Sequence, residues 1–126
     1  MKLLAATLLA TCLLAASCGG ADEHVATLGK TRECLVRKDV KLGGQLDFVA
    51  STATGGALKA HLKDNDVTVV FGATLADANA INDIYHRVHG PNIGIDDVLK
   101  QQDNVVMLYR VHPSDADIAL VTGCIR

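Results

Sequence analysis

Two histidines one helical turn apart are the residues of this sequence best placed to do chemistry. His86 and His89 stand three positions apart in a segment with helical periodicity, so their imidazoles project within about 60° of each other. With Asn82 on the same flank, they could reach one metal ion, because imidazole nitrogens are common metal ligands. The sequence predicts a metal or small-ligand site here as an alternative to a simpler interpretation, a solvated edge beside the buried stripe of the helix.

A metal site would need further ligands, and acid–base chemistry would need carboxylates that face a substrate. Asp96, Asp97 and His112 are side chains of the right kind, although their spacing does not place them beside His86. The two aspartates belong to a long polar loop over residues 90–103, and paired carboxylates serve as general acids and bases in enzymes. A small extracytoplasmic enzyme built from this loop is therefore a further alternative. A simpler interpretation is that both aspartates lie in the first turn of a short helix, where the helix dipole favours acidic side chains.

Motifs of other catalytic and cofactor sites do not occur in the sequence. There is no His-Glu-x-x-His motif, no Gly-x-Ser-x-Gly nucleophile elbow and no glycine-rich phosphate loop. The formal net charge is −2, and no basic stripe suited to nucleic acid is present. We therefore expect a protein that is not an enzyme, has no cofactor and does not bind nucleic acid.

The cysteines indicate an oxidising compartment. Cys12 lies in an apolar N-terminal run and Cys18 follows it, which leaves Cys34 and Cys124 as a pair in the rest of the chain. Pairs of this kind in small secreted domains form disulfides. We predict a Cys34–Cys124 bond that joins the first and last helices. Closing a loop of about 90 residues would stabilise the domain by roughly 4–5 kcal/mol on the chain-entropy account.

The first eighteen residues resemble the signal peptides of bacterial lipoproteins. Lys2 precedes an apolar run over residues 3–16 that is too short to span a bilayer, and Ala15-Ala16-Ser17-Cys18 is similar to the lipobox. The resemblance implies cleavage before Cys18, acylation of that cysteine and a membrane-anchored location in the cell envelope. Cleavage before Asp22 and secretion without an anchor is the alternative.

The sequence divides into a signal peptide over residues 1–17, a flexible leash over 18–23 and a single domain over 24–126. Hydrophobic periodicity predicts the elements of that domain in this order: helix 24–38, strand 46–51, a hairpin of two strands across 58–71, helix 75–89, strand 105–111 and a helix capped by Ser114. A helix over 56–63 is the alternative to the first hairpin strand. The predicted fold class is α+β, with an antiparallel sheet of about four strands and helices packed on one face.

These observations favour a lipid-anchored envelope protein whose small domain binds another protein or assists an envelope process. Period-two alternation buries Leu58 and Ala60, which leaves Lys59, His61 and Lys63 on the exposed face of the hairpin. That face is the expected contact surface for a protein partner. A metal- or ligand-binding lipoprotein and a small enzyme are the alternatives given above.

Overall fold

The computed structural model describes residues 24–90 and 94–126. The elements of these ranges are α1 (Leu28–Arg37), β1 (Lys41–Leu42), α2 (Phe48–Ser51), β2 (Ala57–His61), β3 (Asp66–Phe71), α3 (Leu75–His89), α4 (Ile95–Val98), β4 (Leu99–Gln102), β5 (Val105–Tyr109) and α5 (Asp115–Thr122). The predicted signal peptide, the predicted acylation of Cys18 and the predicted leash over 18–23 lie outside the described residues.

Within these ranges, five strands form one antiparallel sheet in the order β1-β2-β3-β5-β4. β2 and β3 are the predicted hairpin, with Val69 opposite Leu58. β3 then pairs with β5, where Val69 lies opposite Met107. The predicted α+β class and antiparallel sheet are confirmed, with one strand more than the four or so expected.

Helices pack on both faces of the sheet, which corrects the prediction that they pack on one face. Val67, Val69 and Phe71 of β3 are buried in one cluster with residues of α1 and α5. Val70, which points to the other face, is buried in a second cluster with residues of α2, α3 and α4. The alternation of Val67, Val69 and Phe71 along β3 predicts that only the face of the first cluster is covered. Because Val70 is apolar too, the second face of this central strand also has to be covered.

Residues 46–51 contain the one-turn helix α2, so the predicted strand there is wrong. Asp47 accepts a hydrogen bond from the Ala50 N–H at 2.9 Å and caps the first turn. Val49 and Ala50 are buried against the face of the sheet that α3 covers. Periodicity cannot separate helix from strand in so short an apolar run, and here the cap and the packing decide for helix.

The segment predicted as a long polar loop over 90–103 contains α4 and β4. β4 is an edge strand, in which Lys100 lies opposite Met107 and Gln101 opposite Val106. Lysine and glutamine are not enriched in strands, so pairing with β5 rather than intrinsic preference makes this segment extended.

The helices predicted around the hairpin are confirmed, with small shifts at their ends. α3 begins after Thr74, whose side chain accepts from the Asp77 N–H, and it ends at His89, followed by the C-cap residue Gly90 with φ 67°. Ser114 caps α5 through a capping box. α1 begins at Leu28, later than the predicted start at residue 24.

Asn104 fastens the beginning of the described chain to one end of the sheet. Its side chain is fully buried and makes three hydrogen bonds, accepting from the Ala26 N–H and donating to the carbonyls of Ala26 and Gly72. The His24 Nδ1 lies 3.2 Å from the carboxylate of Asp103, in the turn between β4 and β5. The chain therefore enters the domain at the end of the sheet that holds this turn.

The sulfur atoms of Cys34 and Cys124 lie 2.10 Å apart, at the distance of a disulfide bond, and their Cα atoms are 5.4 Å apart. Cys34 belongs to α1 as predicted, whereas Cys124 follows the end of α5 at Thr122 instead of lying within it. The pair joins the two ends of the domain. No helix in the described ranges is long and apolar enough to cross a membrane.

Candidate functional site

The structure pairs His86 with Asp96. The His86 Nε2 lies 2.7 Å from the Asp96 carboxylate, and its Nδ1 donates to the carbonyl of Asn82 at 2.9 Å. Both contacts raise the pKa of His86 above its ordinary value, and the hydrogen bond to Asp96 contributes most. Because a protonated imidazole has no lone pair for a metal, the contacts that favour protonation oppose metal ligation by His86.

The neighbouring aspartate forms a separate pair with the third candidate ligand. The His112 Nδ1 lies 2.6 Å from the Asp97 carboxylate, and the side chains of Asp96 and Asp97 are 89% and 59% exposed. Neither aspartate lines the two cavities described below. Across residues 24–90 and 94–126, no three His, Cys, Asp or Glu side chains gather as a metal site would require. The His86/His89 metal site stays a prediction.

An open groove with a volume of about 430 Å³ lies on the face of the sheet that carries α3. We call it the sheet-end groove, because it lies at the end of the sheet opposite Asn104. Its floor is one row across three strands, with Lys59 opposite Thr68 and Thr68 opposite Leu108. His89, at the end of α3, forms part of its wall. The predicted ligand residue His89 thus belongs to this groove, while His86 is engaged elsewhere.

α3 covers only part of this sheet face, which leaves the groove open. The next row of the same face contains Val70 opposite Val106, and both are fully buried beneath the helices. Helix α3 ends at His89, and Lys59 and Thr68 offer polar side chains where the covered row offers valines. The groove therefore begins where the apolar surface of the sheet ends.

The carboxylates of the groove already have partners. Asp47 accepts from the Tyr85 hydroxyl at 2.9 and 3.0 Å, and burial together with this carboxylate holds the pKa of Tyr85 well above its ordinary value. Asp66 lies 2.7 Å from the His61 Nδ1 and 3.2 Å from the Arg110 Nε. The hydrogen bond from His61 is the largest cause that lowers the pKa of Asp66. Both acids therefore hold the walls of the groove together.

The donors on the floor of the groove make no hydrogen bond. In the described part of the chain, neither the Lys59 ammonium nor the Thr68 hydroxyl has a hydrogen-bond or ion-pair partner, although the charge of Lys59 contributes to lowering the pKa of Asp66. Thr68 is only 8% exposed. Its hydroxyl is nevertheless accessible from the groove. Among the described side chains, only the Tyr109 hydroxyl oxygen is both fully enclosed and without a hydrogen-bond partner, so the unpartnered Thr68 hydroxyl is not enclosed. The groove can therefore donate hydrogen bonds to a bound group.

A second cleft, of about 220 Å³, lies between α2 and α3. Its lining is mainly apolar and includes Val49, Ile81 and Ile84, with Phe48 at the edge at 82% exposure. Asp77, the charged residue of this cleft, already accepts a hydrogen bond from Thr54 at 2.9 Å. The cleft offers apolar burial with little polar recognition.

The three residues of the predicted partner surface on the hairpin have different surroundings in the structure. Leu58 and Ala60 are buried as predicted, and Lys59 lies in the groove. His61 is held by Asp66 and by the Gly43 carbonyl, while Lys63 is exposed in the turn after β2.

Sequence reasoning did not single out several residues of the groove, among them Asp47, Asp66, Thr68, Leu108 and Arg110. Thr68 gave a usable signal, since it is a polar residue inside the otherwise apolar run of β3. No family model, curated protein or solved structure matches this chain.

Proposed function

We propose that this chain is a non-enzymatic, lipid-anchored module of the cell envelope that binds an extended segment of another protein in the sheet-end groove. The anchor in this proposal is an acylated Cys18, which follows from the resemblance of residues 15–18 to the lipobox. The observation that carries the binding function is the open row of Lys59, Thr68 and Leu108 on the groove floor.

The shape of the groove favours a segment of a larger partner over a free small molecule. Its volume of about 430 Å³ is within the usual range for small-ligand pockets, but such pockets bury most of the surface of their ligand. This groove is open along the sheet, so a small ligand would stay largely in water. An extended segment can place successive side chains on the cation, the hydroxyl and the aliphatic group of the floor.

The walls of the groove are fixed before a partner arrives. The hydrogen bonds between Tyr85 and Asp47 tie α3 to the residue that caps α2. The contacts of Asp66 with His61 and Arg110 tie the ends of three neighbouring strands. Because less freedom is lost when the site is already ordered, such ties increase the affinity for a partner.

The position at which the chain enters the domain supports an accessible groove. Ala26 is held by Asn104 at one end of β5, whereas Leu108 and Arg110 line the groove at the other end. At 3.3–3.4 Å per residue, the six steps from Asn104 to Arg110 span roughly 20 Å. An anchor before residue 24 would therefore leave the groove on the side of the domain away from the membrane.

Site-specific photo-cross-linking in the host tests this function. A benzoylphenylalanine at Gln45, an exposed residue of the groove wall, is compared with one at Arg37, which is exposed on α1. We expect a discrete cross-linked protein from position 45 of the full chain and not from position 37. Identical products from both positions, or no product from position 45, would contradict the proposed function.

A further inference from the structure

We propose that the sheet-end groove selects a protein segment with an acidic side chain, whose carboxylate is bound by Lys59 and Thr68. This inference rests on the proposed function, and it names the chemistry of the partner. It assigns a recognition role to two residues of the hairpin and defines what the groove would reject.

Lys59 and Thr68 offer hydrogen-bond donors on the floor of the groove. The two acids beside them are engaged, Asp47 by Tyr85 and Asp66 by Arg110 together with a histidine. Within the described ranges, neither the Lys59 ammonium nor the Thr68 hydroxyl has a hydrogen-bond partner. A cationic donor beside a neutral donor complements a carboxylate, which accepts several hydrogen bonds through its two oxygens. A basic or purely apolar side chain would leave these donors unsatisfied.

The two donors are positioned to act on one group. Lys59 and Thr68 are direct cross-strand partners, so their Cβ atoms lie about 5 Å apart on the same face of the sheet. The stem of Lys59 passes over Gly44, where an added Cβ would lie 3.1 Å from the Lys59 Cδ. Gly44 thus leaves room for the lysine stem beside the groove floor.

The remaining residues of the row fit the rest of such a side chain. Leu108 lies opposite Thr68 and offers an aliphatic surface to the methylene groups of a glutamate or aspartate. Arg110 lies at the edge of the groove with its side chain 63% exposed, and its ion pair with Asp66 offsets the charge of that carboxylate. An anionic lipid headgroup would need similar donors, but the chain enters the domain at the opposite end of the sheet. The position of the groove therefore favours a protein segment.

Fluorescence anisotropy with three labelled peptides tests the inference on the full chain in detergent micelles. The probes are capped hexapeptides of alternating alanine with glutamate, glutamine or lysine. We expect the glutamate peptide to bind at least tenfold more tightly than the glutamine peptide, and the lysine peptide to bind weakest. Competition by phosphatidylglycerol dissolved in the same micelles at equal charge would instead assign a lipid headgroup to the groove and would overturn the inference.

Matched variants separate recognition from general charge. Lys59→Gln is expected to weaken binding of the glutamate peptide at least tenfold, and Thr68→Val severalfold. Lys63→Gln removes the same charge from the same hairpin outside the groove, and binding should stay within twofold. Equal losses in the two lysine variants would overturn the inference. If the glutamine peptide binds as tightly as the glutamate peptide, acidic selection fails while the proposed function stands. If none of the three peptides binds, acidic selection fails, and the cross-linking from position 45 in the host decides separately whether the proposed function stands.

Discussion

Replacement of Asn104 by alanine is expected to destabilise the domain strongly. The Asn104 side chain is fully buried and links the start of the domain to Gly72 through three hydrogen bonds. Each bond contributes about 1 kcal/mol net, and a buried carbonyl left without a donor adds further cost. The groups of Ala26 regain water if the first residues fray, but the Gly72 carbonyl does not. We therefore expect the free energy of unfolding to fall by about 3–4 kcal/mol.

Urea unfolding followed by circular dichroism measures this loss, with Gln101→Ala as the control. Gln101 is also an amide of the β4–β5 hairpin and donates to the Asn79 side chain and the Asp103 carbonyl, but it is exposed. Its replacement should change the free energy of unfolding by about 0.5 kcal/mol or less. A loss below about 1 kcal/mol for Asn104→Ala, or equal losses in the two variants, would refute the assigned role of Asn104.

Three further outcomes are expected. Cys18→Ala should move the chain out of the membrane fraction of its host, as judged by fractionation and immunoblotting, and an unchanged distribution would argue against the anchor. Serine at both Cys34 and Cys124 should lower the free energy of unfolding by up to about 4 kcal/mol, and the intact mass of the native chain should increase by two hydrogens on reduction. Asp96→Asn should return the raised pKa of His86 toward its ordinary value in an NMR titration. Because the folded pKa is raised, the stabilising contribution of this pair is complete below the ordinary histidine pKa and is lost as the pH rises through the folded value. A His86 titration that is the same in both proteins would contradict this assignment.

The elements that the sequence predicted well are those whose local signals agree with their burial. The hairpin alternates apolar and polar residues, and its Leu58 and Ala60 are buried as that pattern requires. α3 has both an N-terminal cap and an apolar stripe, and α5 has a capping box at its N-terminus. For these elements a short-range pattern was enough. The pairing of Cys34 with Cys124 followed instead from the number of cysteines left outside the predicted signal peptide and the predicted acylation site.

The elements that were missed depend on contacts between distant segments. β4 is a polar edge strand that is extended because β5 pairs with it. Residues 46–51 form a helix because Asp47 caps it and because the second face of the sheet needs cover. The groove was only partly foreseen, since Lys59 meets Thr68 through the strand register, and Leu108 joins them from a strand about forty residues later. These three residues meet because of the strand order and register, which the local sequence pattern does not specify.

Native mass spectrometry of the full chain, extracted from the membranes of its host in mild detergent, tests the central claim most directly. We expect a chain that starts at an acylated Cys18 and carries a bound protein, and this protein should be lost in Lys59→Glu but retained in Lys63→Glu. A soluble, unacylated chain that starts at Asp22 would contradict the anchor. A partner that both variants retain would contradict binding in the sheet-end groove.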